Sequence, residues 1–216
     1  MQNRGFLYGD GFFETIRVYN GQIPLIDAHI DRIEDALEIY EMDIQFDVTY
    51  EFITSIASQY AKNGSLRINF FRDGQGKYNP ETNHVAFNHS FSEHNQPFYL
   101  PESLDLVEEL KKAPYIPGTI GIYPEPKPNV PWMTVKSLSS IYYVLASKYK
   151  TINGFDHLLI QNGENLICEE LISNIIILKE DELYVANRDS GGVDGATQRF
   201  LRSNYGFQML EKPISK

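Results

Sequence analysis

Apolar and polar positions alternate along this chain in two rhythms, and the switches between them lay out its elements. The run "FFETIRVYNGQIPLI" reads as two strand-like segments joined by Asn20 and Gly21, a dipeptide that favours a two-residue hairpin turn. In "DAHIDRIEDALEIYEM" the rhythm becomes helical, with Ile30, Ile33, Ala36, Leu37 and Tyr40 on one face and Asp27 placed to cap the start. A second helix, "TYEFITSIASQYAKNG", is stopped by Asn63 and Gly64, and "SLRINFFRDG" and "HVAFNHSF" return to strand.

Residues 94–105, "HNQPFYLPESLD", carry two prolines and no period, so they read as a linker between residues 1–93 and residues 106–216. The second part opens with the strand "GTIGIYPE" and the proline-rich loop "KPNVPWMT". "SSIYYVLASKYKTING" is a helix ended by Asn153 and Gly154, with Ser139 and Ser140 placed to cap it. "DHLLIQNGENLICEE", "NIIILKEDELYVAN" and "GFQMLEKPI" are strand-rich, with turns at Asn162-Gly163 and Glu180-Asp181, and "TQRFLRSNY" is a short helix before the last strand. The class is α+β.

Charge narrows the function. The 216 residues carry a formal net charge of −10, with no basic stripe, which argues against a nucleic-acid partner. An anionic ligand would need specific arginines or backbone N–H groups to hold it. No apolar run reaches the roughly 18–20 residues needed to cross a bilayer, so no membrane role is expected. One cysteine, Cys168, and an N-terminus without a signal-peptide pattern suggest a cytoplasmic protein. His84, His89 and His94 are five apart, which on a strand puts neighbours on opposite faces, so no metal site is expected. Cys168 has no paired histidine and reads as core.

Four features are suited to chemistry. Lys136 closes the short apolar stretch in "WMTVKSLSS"; it reads either as a surface lysine or, in a partly apolar cleft, as an amine able to form a Schiff base. Glu169 lies in "NLICEELISNIIIL", where a carboxylate in an apolar strand must pair with a cation or face a protonated ring nitrogen. The glycines of "DSGGVDGATQRFL" precede a helix start near Thr197, where N–H groups make an anion pocket, without the Gly-Lys-Ser/Thr of a Walker loop. Arg32 sits on the first helix and matters only if an anion needs it.

In this order, these features resemble pyridoxal-phosphate enzymes of fold type IV, the class IV aminotransferase family. The matching segments are "RGFLYGDGFFETIRVYNGQIPLIDAHIDRI", "KSLSSIYYVLA" and "EELISNIIILKEDELYVANRDSGGVDGATQRFL". The resemblance implies a small N-terminal α/β sandwich, a C-terminal β-barrel-like domain with flanking helices, and a homodimer. It makes Lys136 the Schiff-base lysine and proton shuttle, and Glu169 the group that keeps the pyridine nitrogen protonated. Arg32 would grip the cofactor phosphate with backbone N–H groups at Ala196 and Thr197. Tyr8 and Phe13 would line the substrate pocket, and Asn174 would be structural. Arg72 or Lys77 would meet a substrate carboxylate.

The implied activity is transfer of an amino group between an amino acid and a 2-oxo acid. The alternatives are the aminodeoxychorismate lyase reaction, which leads to 4-aminobenzoate for folate, and a non-catalytic relative. Three departures stand out. Glu170-Leu171-Ile172 replaces the family's glycine and small residues, and Ile141 stands where branched-chain enzymes carry a tyrosine. The chain also ends at "EKPISK", short of the family's usual last strand. Strand pleating sends Glu170 to the face opposite Glu169.

Overall fold

A computed structural model describes residues 3–96, 105–112, 116–205 and 208–215. The chain divides into two units that do not follow sequence order. The first holds Met1–Tyr99 together with Val135–Ser139, and the second holds Leu100–Thr134 and Ser140–Lys216. The expected division at 93 and 106 runs linearly, whereas the short segment bearing Lys136 is returned to the first unit. Most of the expected linker lies outside the described residues.

The first unit is built on three antiparallel strands in the order β1 (Gly11–Val18), β2 (Gly64–Arg72), β3 (Val85–Glu93). Helices α1 (Arg4–Tyr8), α2 (Ile26–Ile39) and α3 (Tyr50–Ala57) accompany it. The alternation of β1 sends Phe12, Ile16 and Val18 into a core with Ile33, Ala36 and Leu37 of α2 and Ile53, Ile56 and Ala57 of α3. Leu66, Ile68 and Phe70 of β2 complete that layer at 0% exposure, so the sheet is covered on this face by both helices.

Local details differ from the sequence pattern for identifiable reasons. Asn20 and Gly21 both have positive φ, 49° and 74°, as a tight turn requires, yet the second arm of the hairpin is a single bridge between Tyr19 and Gln22. β1 pairs with β2 instead, in a longer antiparallel ladder from the Gly11–Phe71 pair to the Val18–Gly64 pair. α2 begins two residues earlier than Asp27 would cap it, after a left-handed Leu25 with no side-chain cap. Asp27 sits in the first turn, where a negative charge complements the helix dipole. The unforeseen α1 is capped by Asn3, whose side chain accepts from Phe6 N at 2.8 Å.

The second unit contains α4 (Leu106–Lys112), β4 (Ile120–Ile122), α5 (Ile141–Ile152), β5 (His157–Gln161), β6 (Ile167–Glu170), β7 (Ile176–Lys179), β8 (Glu182–Ala186), α6 (Ala196–Tyr205) and β9 (Met209–Lys212). Its described strands form two mixed three-stranded sheets, β4-β5-β6 and β7-β8-β9, with no closed barrel among the described residues. In each sheet one pairing is parallel, β4 with β5 and β8 with β9. Leu158 and Ile160 pack with Tyr123, Ala146 and Leu171 in one core. Leu183 and Val185 pack with Leu106, Leu201, Tyr205 and Met209 in another. Ser140 occupies the start of α5 without capping it; Ser139 gives its N–H to Ser137 Oγ at 3.0 Å. Among the described residues no helix is long and apolar enough to cross a membrane.

Candidate functional site

In the first unit Lys136 is held by its backbone. Phe13 N donates to Lys136 O at 2.8 Å and Leu138 N donates to Gly11 O at 2.9 Å, with a bridge between Phe12 and Ser137. The segment thus runs as a short added strand on the free edge of β1. Ser137 is buried and shares a 2.6 Å hydrogen bond with Tyr40 OH. Gly9, at φ 66°, leaves room for this approach, because a Cβ there would lie 2.9 Å from Ser139 Cβ. The Lys136 ammonium sits 5.4 Å from the centroid of the Phe13 ring, and the Arg67 guanidinium lies 3.5 Å from that same centroid.

Beside this segment lies Glu14, 2% exposed, at a core-facing position of β1. His29 Nδ1 is 3.0 Å from its Oε1 and Arg32 Nη2 is 3.3 Å from its Oε2. Burial pulls the Glu14 carboxyl upward, but the His29 hydrogen bond and the charges of Arg32, His29 and Lys136 outweigh it and hold its pKa below the ordinary 4.5. Glu14 was missed in the sequence. The signal was available, because a glutamate in the buried phase of β1 faces His29 and Arg32, spaced three apart on α2.

Arg72, expected to meet a substrate, is committed within the protein. Its guanidinium donates to Asp10 at 3.3 Å, Glu41 O at 3.2 Å, Asn83 Oδ1 at 2.5 Å and Tyr40 O at 2.6 Å, and it is 9% exposed. It braces the ends of β2 and α2 as a structural anchor. Lys77 is exposed, and its backbone carbonyl accepts from Arg4 Nη1 at 2.8 Å. Tyr8 ends α1 at 39% exposure, under the Arg4 guanidinium and 5.8 Å from the Tyr78 ring.

In the second unit the two glutamates of β6 separate by face. Glu169 Oε1 accepts from Lys127 Nζ and from Tyr143 OH, both at 2.8 Å, and Oε2 accepts from Val193 N at 2.7 Å. Burial and the Glu169 charge push the Tyr143 phenol well above its usual range, so it stays a donor. Glu170 serves the following turn: its Oε2 accepts from Ile172 N at 2.9 Å and Ser173 Oγ at 3.1 Å. Lys127 left no trace in the sequence, since a lysine inside "EPKPNV" reads as a loop residue.

The glycine-rich loop is sewn to β6. A Cβ on Gly192 would come within 2.5 Å of Cys168 O, and one on Gly195 within 1.9 Å of Asn174 Oδ1, so neither position admits a side chain without a shift. Asn174 Nδ2 donates to Val193 O at 2.6 Å, which gives that asparagine its structural role. α6 then begins at Ala196, buried, with Thr197 exposed beside it, and Arg199 N donates to Gly195 O at 2.9 Å. The first-turn N–H groups of a helix lack intrahelical partners, so this end is suited to an anion. Cys168 is core: burial raises its thiol to about 11, which keeps it protonated at neutral pH. Among the described residues no cluster of three or more His, Cys, Asp or Glu is arranged to hold a metal.

Comparison with known proteins gives a consistent picture. The family profile described as "Amino-transferase class IV" matches residues 11–216. An aminodeoxychorismate lyase of Bacillus subtilis is 28% identical over 210 residues, covering 94% of this chain and 67% of the relative. A D-alanine aminotransferase of Staphylococcus haemolyticus is 26% identical over 208 residues, covering 93% and 68%. The crystal structure of 4-amino-4-deoxychorismate lyase from Pseudomonas aeruginosa superposes with a TM-score of 0.75 at 19% identity, covering 100% of this chain and 77% of that one.

The Glu14 cluster predicts a specific acid response. Because the folded pKa is depressed, the stabilisation is fully present above the ordinary 4.5 and is lost as pH falls through the lower folded value. Urea denaturation against pH should show this loss in the wild type. Glu14→Gln should be less stable at pH 7 by about 3–5 kcal/mol, because it leaves Arg32 buried without its counter-charge, and its acid step should be smaller. An unchanged acid profile in the variant would contradict the assignment.

Proposed function

The chain belongs to the class IV aminotransferase family, whose members are pyridoxal-phosphate-dependent enzymes, and from that premise we propose that it moves an amino group between an amino acid and a 2-oxo acid with Lys136 as its Schiff-base lysine. The observation that carries this reading is the locked backbone of Lys136 on the edge of β1, beside the buried Glu14–His29–Arg32 cluster.

The residues of each unit, taken separately, fit pyridoxal 5′-phosphate. Arg32 is a buried guanidinium that spends one terminus on Glu14 and has five donors in all, which leaves capacity for a phosphate. The α6 N-terminus at Ala196 and Thr197, which follows the glycine-rich loop, offers N–H groups to the same kind of anion. Oε2 of Glu169 holds one donor and has a lone pair to spare for a ring nitrogen. When bound, the cofactor supplies an aldehyde carbon and an electron-withdrawing ring. Lys136 would hold the aldehyde end through Nζ, and its amine would be the group that moves a proton at the substrate α-carbon. Arg32 in the first unit and the α6 N–H groups in the second are each suited to a phosphate and would be its donors. Phe13, half-buried beside the Lys136 ammonium, and Tyr8 are proposed as pocket walls that exclude water. Arg72 is assigned no substrate contact, because its donors are engaged.

A second reading, the lyase reaction, is favoured by one observation: the Bacillus subtilis relative of that name is 28% identical, slightly above the D-alanine aminotransferase at 26%. We also propose a cytoplasmic homodimer. The single cysteine supports the compartment. An exposed apolar stripe along α5, formed by Ile141, Val144, Leu145 and Ile152, supports a second copy as partner.

Purified protein given pyridoxal 5′-phosphate should gain a visible absorption band that borohydride removes, and Lys136→Ala should lack it. A wild-type protein that stays colourless would overturn both enzymatic readings. In a panel of amino donors, dependence of turnover on an added 2-oxo acid is expected; pyruvate release from aminodeoxychorismate without an acceptor would select the lyase instead. Light scattering should give twice the 24.8 kDa of one chain, and a mass of one chain would remove the dimer. Recovery in the membrane or secreted fraction would remove the cytoplasmic assignment.

A further inference from the structure

Lys127 is the most deeply buried cation among the described residues, at 1% exposure. Its backbone is fixed beside the end of β5, where its N–H donates to Gln161 O at 2.8 Å and it bridges Asn162. From there the side chain reaches Glu169 Oε1 at 2.8 Å, with the Tyr143 ring centroid 5.6 Å from its ammonium. An apolar side chain of similar length would fill this place without stripping a charge of water. The lysine is therefore best understood through the carboxylate it meets.

A carboxylate offers about four lone-pair sites. On Glu169, Oε1 accepts from an ammonium and a phenol, and Oε2 accepts from a backbone N–H. One acceptor site remains, on Oε2, and the formal charge behind it is already matched by Lys127. A pyridinium arriving there would be a second cation on one carboxylate, and like charges so placed disfavour each other. We propose that Lys127 is a positioning residue which, acting through Glu169, weakens the hold of that carboxylate on a proton at the ring nitrogen of the bound cofactor. This rests on the reading of Glu169 as the group that faces the ring nitrogen. It revises the simpler expectation that Glu169 keeps that nitrogen fully protonated. The chain then has a damped electron sink and relies more on Lys136 as the base.

The test loads the full-length protein with [15N]pyridoxal 5′-phosphate and reads the ring-nitrogen resonance at neutral pH. In the wild type it should fall short of the full pyridinium position, and in Lys127→Met it should move to that position. Tyr143→Phe removes a neutral donor from the same oxygen and should move the resonance far less, whereas simple loosening of Glu169 would move both variants alike. In parallel, the wild type should bind the cofactor and its 1-deaza analogue, which lacks the ring nitrogen, within about threefold, and Lys127→Met should prefer the natural cofactor by about tenfold or more. A full pyridinium signal in the wild type overturns the inference even if Lys127→Met fails to fold, and it leaves the proposed enzyme intact. Absence of any bound cofactor in the wild type overturns both.

Discussion

Glu169 is 4% exposed, and a carboxylate so far from water persists only where donors replace its hydration. The second unit is organised to supply them. β6 presents the carboxylate, α5 brings Tyr143, the loop after β4 brings Lys127, and the glycine-rich loop brings the N–H of Val193. Each donor arrives from a different element, so the ion pair ties local chain turns into one arrangement. Removing one partner of such a pair costs about 3–5 kcal/mol, because the other charge stays buried. The close packing of Gly192 and Gly195 follows from the same requirement, since the loop must lie against β6 for Val193 to reach.

The first unit answers the same constraint with a different set. Glu14 enters the apolar layer between sheet and helices, and α2 supplies His29 and Arg32 one turn apart to meet it. The cluster fixes the arginine that the proposed function assigns to the phosphate. It lies on the strand whose edge carries the Lys136 segment. β1 thus holds the backbone of the Lys136 segment along its edge and, through Glu14, a buried cation on α2.

How much of this was legible depended on whether a residue's role is local. Helices α2, α3, α5 and α6 and most strands followed from periodicity, whereas the short α1 and α4 did not. Membership of the class IV family followed from ordered motifs spanning nearly the whole chain, and the α+β class agrees with fold type IV structures. The faces of Glu169 and Glu170 followed from strand pleating alone, and the structure gives each its own donors. Lys127 could not be read, because its meaning lies in a partner 42 residues away in sequence. Arg72 was misleading for the converse reason: a cation near a turn suggests a ligand, and only the fold reveals Asp10, Asn83 and two carbonyls already bound to it. The barrel-like second domain was an expectation from resemblance, and the described strands form two open sheets instead.

Two lysines now stand in distinct roles, one bound by its backbone beside Phe13 and one spent on Glu169. The assignment of chemistry to the first is the central claim, and it is tested most directly by peptide mapping. Wild-type protein loaded with pyridoxal 5′-phosphate is reduced with borohydride, digested, and its modified peptide sequenced by mass spectrometry. The account predicts a phosphopyridoxyl group on Lys136 and none on Lys127. Modification at Lys127, or spread over surface lysines without preference for Lys136, would contradict it.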